Sequence, residues 1–148
     1  MLGELYQELI LDHNKSPRNR RPMPDANFEA DGHNPLCGDQ IHVYLHMNAG
    51  QIEDVSFEGH GCAISTASAS LMTEAVKGLS IEEADKIFRE FQRMVTQPDS
   101  HVEFEGDTLE KLEALAGVKE FPMRVKCATL AWHTLHAALE GEEKVSTE

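Results

Sequence analysis

The sequence predicts a single α+β domain, and three features of its 148 residues predict this class. Apolar residues recur at helical spacing near the N-terminus. They then alternate with polar residues in the middle of the chain, as in strands with one buried face. Helical spacing returns in the second half. The order of a helix, strands and further helices favours an α+β domain over a parallel α/β sheet.

The first helix is predicted from an apolar stripe at helical spacing: Leu2, Leu5, Tyr6, Leu9 and Ile10. It should end near Ser16, because Pro17 disfavours helical geometry in the residue before it. Residues 18–25 contain two more prolines and no periodic apolar pattern. We expect them to form an irregular connector.

Two neighbouring strands are predicted from alternation. The apolar positions of the first are Ile41, Val43, Leu45 and Met47, and those of the second are Ile52, Val55 and Phe57. Residues 48–50 form a short polar turn between them. Phe28 and Ala30 indicate a third strand ahead of this pair.

The second half predicts four helices. The first begins at Cys62 and ends at a capping Gly78, and the next opens with Ser80 and Glu83 at capping-box spacing and closes before Pro98. A short helix should end around Gly117, and a last one should start at Pro122. We therefore expect one domain over residues 1–148, with a helical insertion around 78–106 and a frayed tail around 141–148.

Composition restricts the classes of partner. The formal net charge is -13, which repels phosphate backbones and anionic membranes and favours a partner with a basic docking surface. No apolar run is long enough to span a membrane, and acidic residues near the N-terminus are unlike a signal peptide. We expect a cytoplasmic protein with reduced cysteines that binds neither nucleic acid nor membranes.

The three cysteines occupy the ends of predicted elements. Cys37 precedes the central strand and is separated from Asp39 by Gly38, while Cys62 and Cys127 lie at or near helix starts, where negative charge is stabilised. A thiolate and a carboxylate can share one metal ion. The cysteines are far from the compact Cys-x-x-Cys of zinc ribbons. Spacing alone leaves metal ligands and buried structural cysteines equally open.

Several motifs in order resemble the iron–sulfur cluster scaffold proteins of the IscU and NifU N-terminal type. They are LILDH at 9–13, PRN at 17–19, NPLCGD at 34–39, GHGCAIS at 59–65 and RVKCATLAW at 124–132. The resemblance covers nearly the whole chain. It implies a three-stranded antiparallel sheet packed by about five to six helices, with Cys37, Asp39, Cys62 and Cys127 gathered at one end as metal ligands.

Departures from the scaffold branch point to the SufU branch of this family. Lys126 stands where the scaffold branch has His before its third Cys, and the insertion around 78–106 is a SufU-branch feature. That resemblance implies zinc bound by three Cys and one Asp, and persulfide sulfur accepted from a cysteine desulfurase at Cys37. It also suggests that Arg124 pairs with Asp39 or with the free Cys37 thiolate, although a solvated helix-start residue is an equal alternative.

The same residues are compatible with a second function. A scaffold carrying a transient [2Fe–2S] cluster on the same four residues, handed to downstream iron–sulfur proteins, is the alternative from another class. Residues 120–124 only faintly resemble the segment that scaffold-branch members present to a dedicated Hsp70 chaperone, so we do not expect that partner. A cysteine hydrolase has no supporting motif.

The histidines are expected to be packed or solvated rather than ligands. The positions considered are His13, His42, His46, His60, His133 and His136.

Overall fold

A computed structural model of the protein describes residues 2–35, 38–97, 104, 106–141 and 144–146. In chain order the elements are α1 (Leu2–Lys15), β1 (Phe28–Asn34), β2 (Asp39–Asn48), β3 (Gln51–His60), α2 (Ala63–Val76), α3 (Ile81–Thr96), α4 (Asp107–Glu110), a 3-10 helix (Lys111–Glu120), α5 (Pro122–Leu139) and β4 (Lys144–Ser146). In this part of the chain, no helix is long and apolar enough to cross a membrane.

The predicted antiparallel sheet of three strands is confirmed, with β2 between β1 and β3. The tail differs from the prediction: β4 pairs with β1 in parallel, where a frayed end was expected. The outer edge of β1 offers backbone N–H and C=O groups, and pairing with β4 satisfies part of that edge. No periodic pattern marks so short a strand, so its sequence did not predict it.

The inner face of the sheet forms the core with α5. The residues of β2 predicted to face inwards, Ile41, Val43, Leu45 and Met47, are all buried. Helix α5 packs against both β1 and β2. At Gly32 a Cβ would lie 1.8 Å from Thr134 Oγ1, so the absence of a side chain there permits the close approach of α5.

Helices α2 and α3 begin and end close to their predicted positions. Cys62 is the N-cap of α2, and Gly78 follows its C-terminus with φ of 87°. The Ser80–Glu83 capping box is present at the start of α3. Helix α3 ends at Thr96, whereas Pro98 lies outside the described residues. The interpretation of residues 78–106 as an insertion remains a prediction.

The segment after α4 differs from prediction. A short helix ending around Gly117 was expected, and residues 111–120 form a 3-10 helix that continues to Glu120. Its large apolar residues Leu112, Leu115 and Val118 continue a repeat of three that starts at Leu109 of α4. Since a 3-10 helix has three residues per turn, this spacing places them on one face, where Leu112, Leu115 and Val118 are buried.

Helix α1 packs against α2 and the 3-10 helix. Leu9 and Ile10 contact the core as the stripe predicted. The side chains of Leu2, Leu5 and Tyr6 lie outside the described part. Helix α2 is therefore packed by α1 as well as by α5.

Candidate metal centre

Asp39 begins β2 and is 1% exposed. Gly38 precedes it with φ of 72°, a left-handed conformation that glycine adopts without strain. Asp39 Oδ1 accepts a hydrogen bond from the backbone N–H of Cys62 at 3.0 Å. The carboxylate is therefore held against the junction between β3 and α2.

Gly61 makes room for this carboxylate. A Cβ at position 61 would lie 2.6 Å from Asp39 Oδ1 and 2.9 Å from its Cγ, closer than such atoms normally approach. Any side chain there would displace Asp39. The glycine preceding Cys62 is consequently part of the geometry of the site.

Cys62 lies in the two-residue junction between β3 and α2 and is half-buried. Its Sγ accepts the backbone N–H of Ser65 at 3.4 Å, which caps the first turn of α2. A sulfur that accepts an N–H at a helix N-terminus lies where the helix dipole stabilises negative charge. This position suits a metal-bound thiolate.

Cys127 lies in the second turn of α5 and is 3% exposed. Helix α5 packs beside α2, which brings Cys127 to the end of the molecule where Asp39 and Cys62 meet. The neighbouring α2–α5 contact is fixed by a buried hydrogen bond from Ser68 Oγ to the Ala128 carbonyl. The position of Cys127 therefore follows from helix packing.

The donor atoms of Asp39, Cys62 and Cys127 all lie within 4.8 Å of one another. Cys62 Sγ and Asp39 Oδ2 are 3.9 Å apart. Ligands at roughly 2.0–2.3 Å from a tetrahedral zinc ion are themselves about 3.3–3.8 Å apart. Two sulfurs and a carboxylate oxygen at these separations fit such an ion after small side-chain movements.

The other predicted site residues have different positions. Cys37 lies outside the described residues. Arg124 is exposed in the first turn of α5, and Lys126, two residues later, is half-buried. In the part of the chain that the structure describes, no hydrogen bond or ion pair joins Arg124 to Asp39, so the supporting role of Arg124 remains a prediction.

The histidines of the described residues join no group of three potential ligands. His42 contacts Asp31 and Glu29 on the outer face of the sheet, and His133 lies edge-on to Phe88. His60 is exposed, and His46 and His136 contact neighbouring carboxylates. These positions agree with packed or solvated residues.

His13, one of the histidines expected to be packed or solvated, has a structural role between α1 and α2. It is fully buried, with Nδ1 2.7 Å from Ser70 Oγ and Nε2 3.7 Å from Glu74 Oε1. Burial lowers the pKa of His13 below its ordinary value of 6.5, and the positive charge of Arg18 acts in the same direction. The histidine lies between α1 and α2, and its helical spacing from Leu9 and Ile10 was the available signal.

The fold and this cluster define a small α+β domain with a candidate metal centre at one end of the sheet. Residues 5–128 match the family described as the NifU-like N terminal domain, and the chain belongs to that family. The resemblance predicted from sequence is confirmed.

Two relatives with named functions match nearly the whole chain. The chain is 42% identical over 144 residues to the zinc-dependent sulfurtransferase SufU of Bacillus subtilis, covering 96% of this chain and 94% of that protein. It is 41% identical over 139 residues to the iron-sulfur cluster assembly scaffold protein IscU of Streptococcus pyogenes serotype M1, covering 94% and 85%.

A solved structure shares the fold. FiSufU from the thermophile Fervidobacterium islandicum AW-1, described as a candidate iron-sulfur cluster assembly scaffold protein for the SUF system, superposes with a TM-score of 0.81. The two chains are 36% identical, and the match covers 92% of this chain and 97% of that one.

Proposed function

We propose that this protein acts in iron–sulfur cluster biogenesis as a zinc-bound sulfurtransferase that accepts persulfide sulfur from a cysteine desulfurase through Cys37. The observation that carries the proposal is the convergence of Asp39, Cys62 and Cys127 donor atoms within 4.8 Å. The similarity to a relative named as a zinc-dependent sulfurtransferase supports it. The activity is thus sulfur transfer rather than hydrolysis or oxidation.

The proposed ligands are Cys37, Asp39, Cys62 and Cys127, of which the last three meet in the described structure. Zinc bound there would hold the thiolates deprotonated without redox chemistry of its own. Asp39 is oriented for this role by the Cys62 N–H, because that bond leaves its Oδ2 facing Cys62 Sγ. Hydrogen bonds to a ligating carboxylate fix its orientation in the same way in other metal sites.

The proposed chemical step is thiol–persulfide exchange at Cys37. Its thiolate attacks the outer sulfur of the desulfurase persulfide, and a new S–S bond forms at Cys37. The S–S bond of the donor breaks, and the desulfurase cysteine leaves as a thiolate with the electron pair. The outer sulfur then belongs to a persulfide on Cys37, and no external oxidant or reductant is consumed.

Charge supports a protein partner in the cytoplasm. A chain with a net charge of -13 is attracted to a desulfurase that presents a basic docking surface. Arg124 is an exposed cation one turn before Cys127 and can pair with the free Cys37 thiolate or with Asp39. Downstream iron–sulfur assembly proteins would receive the sulfur.

The Cys37→Ser variant tests the acceptor assignment. We expect it to lose transfer of ³⁵S-labelled persulfide sulfur from a cysteine desulfurase, because the serine oxygen cannot form the persulfide. The measurement is protein-bound label after separation under non-reducing conditions. A variant with Cys62→Ser, which keeps Cys37, serves as a comparison for loss of a ligand. Transfer to Cys37→Ser at the wild-type rate would show that another residue accepts the sulfur.

A transient [2Fe–2S] scaffold is the second candidate, favoured by relatives named as assembly scaffold proteins. In this case the same residues would hold the cluster as cargo, and the harder Asp39 oxygen would make it labile. Visible absorbance after anaerobic reconstitution, compared with the zinc content of freshly isolated protein, separates the two functions. Stoichiometric zinc without a stable chromophore supports the sulfurtransferase.

A further inference from the structure

The position of Cys62 depends on how β3 and α2 are held together. Strand β3 ends at His60 and α2 begins at Ala63, so residues 61 and 62 form the whole junction. Neither residue belongs to a helix or strand. A change in the angle between β3 and α2 would therefore move the Cys62 sulfur relative to Asp39 and Cys127.

The connector after α1 is bound to both of these elements. On the β3 side, Phe57 N–H donates to the Asn19 carbonyl at 3.0 Å, and Arg21 N–H donates to the Phe57 carbonyl at 3.1 Å. On the α2 side, Arg18 N–H donates to Ser70 Oγ at 2.8 Å. The connector thus spans the two elements that flank Cys62.

Asn19 by itself forms hydrogen bonds with both β3 and α2. Its carbonyl accepts from β3, while its side-chain Nδ2 donates to Thr73 Oγ1 of α2 at 3.0 Å. Its φ is 60°, a left-handed conformation that asparagine tolerates better than most residues. This conformation lets the backbone follow β3 as the amide reaches the buried Thr73.

Arg20 restrains the end of β3 that lies nearest to Cys62 in the sequence. Its Nη2 donates to the Gly59 carbonyl at 2.7 Å. Gly59 has φ of 137°, and a Cβ there would lie 2.3 Å from the Gln40 carbonyl oxygen, so its backbone is tightly placed against β2. The bond from Arg20 restrains this strand end from its outer edge.

We propose that Asn19, assisted by Arg20, is a positioning residue for the candidate metal site. Asn19 clamps β3 to α2, and this clamp keeps Cys62 Sγ at ligand distance from Asp39 and Cys127. Neither Asn19 nor Arg20 supplies a metal ligand. The inference rests on the proposed function, since it assigns these residues a role in metal binding rather than in stability alone.

The main test is Asn19→Gly, which keeps the left-handed backbone accessible and removes the amide. The matched control is Asn27→Ala, which removes an amide bonded to both N–H and C=O of Met47 at the far end of β2. Zinc affinity is measured by competition with a chromophoric chelator. We expect roughly tenfold or greater weakening in Asn19→Gly, as for other supporting residues of metal sites, and wild-type affinity in Asn27→Ala.

The second test is Arg20→Gln with Arg21→Gln as its control. Both side chains are exposed cations, but Arg21 pairs with Asp54 rather than with Gly59. Cobalt(II) absorption reports coordination geometry: we expect Arg20→Gln to alter the intensity of its visible bands while Arg21→Gln retains the wild-type spectrum. Circular dichroism verifies that all four variants are folded.

Amide exchange of Cys62 provides a measurement without metal. Its N–H donates to Asp39 Oδ1, and we expect faster exchange in Asn19→Gly because the junction opens more often. The inference is overturned if zinc affinity, cobalt spectrum and exchange all match wild type, or if the controls change equally. A wild type that binds neither ion would overturn the proposed function, and the exchange rates would then decide the positioning role.

Discussion

At the scale of single residues, Gly61 supplies no metal ligand, yet the position of the Asp39 carboxylate depends on it. The space that a Cβ would occupy is filled by Asp39 Oδ1, at 2.6 Å. The same carboxylate oxygen accepts the N–H of Cys62. Steric room and a hydrogen bond together orient the proposed ligand.

The Gly61→Ala variant should weaken zinc binding by about 10-fold to 100-fold, the range for lost support of a metal ligand. The added methyl group displaces Asp39 and stretches its bond to Cys62. Gly117→Ala is the matched control, because a Cβ there meets no atom within 4 Å. Chelator competition measures both affinities. Equal zinc affinity in the two variants would show that zinc binding does not depend on the space at Gly61.

At the scale of helices and strands, α5 positions Cys127. The absence of a side chain at Gly32 determines how closely α5 approaches β1. Thr134 Oγ1 lies in the position that a Cβ of residue 32 would need, and it also donates to the Leu130 carbonyl. Trp132 on the same helix is fully buried and stacks on Phe91 of α3 at 4.7 Å. Helix α5 is thereby held between the sheet and α3.

Gly32→Ala should destabilise the protein by about 1–3 kcal/mol, because an overpacked contact forces α5 away from β1. The measurement is the free energy of unfolding in urea. Adding Thr134→Ala should recover part of this loss, since it removes the clashing hydroxyl. Additive effects of the two substitutions would contradict a direct clash.

At the scale of the whole molecule, the buried His13 and the half-buried His133 make stability depend on pH. Burial lowers the pKa of His13 and of His133, so the unfolded chain binds their protons more readily than the folded protein does. Stability therefore falls as the pH drops through 6.5 towards the lower folded-state values, and levels off below them. Carboxyl groups with lowered pKa, such as Glu83, lose their contribution only in more acidic solution.

The urea concentration at the unfolding midpoint should accordingly decrease as the pH is lowered from 7.5 to 5.5. His13→Asn, which retains a nitrogen near Ser70 Oγ but cannot be protonated, should show a shallower fall because one of the two titrating groups is gone. The midpoint is measured at fixed ionic strength in the metal-free protein. Identical pH slopes in wild type and His13→Asn would show that His13 does not titrate on unfolding.

Much of the fold was predictable because its signals are local. The alternation in β2, the cap at Cys62 and the Ser80–Glu83 capping box each involve residues a few positions apart, and each was confirmed. A short helix was predicted before Pro122, but its 3-10 type was not, because a repeat of three also fits part of an α-helical stripe. The β4 pairing required a partner strand more than one hundred residues away in sequence.

The sequence by itself determined the family, the order of elements and the residue types available as ligands. The tertiary structure decided that Asp39, Cys62 and Cys127 meet, how Gly61 admits the carboxylate, and why His13 and Asn19 lie against α2. The physical reason is that caps and periodicity arise from neighbouring residues. Distances between remote side chains depend on the packing of every element between them.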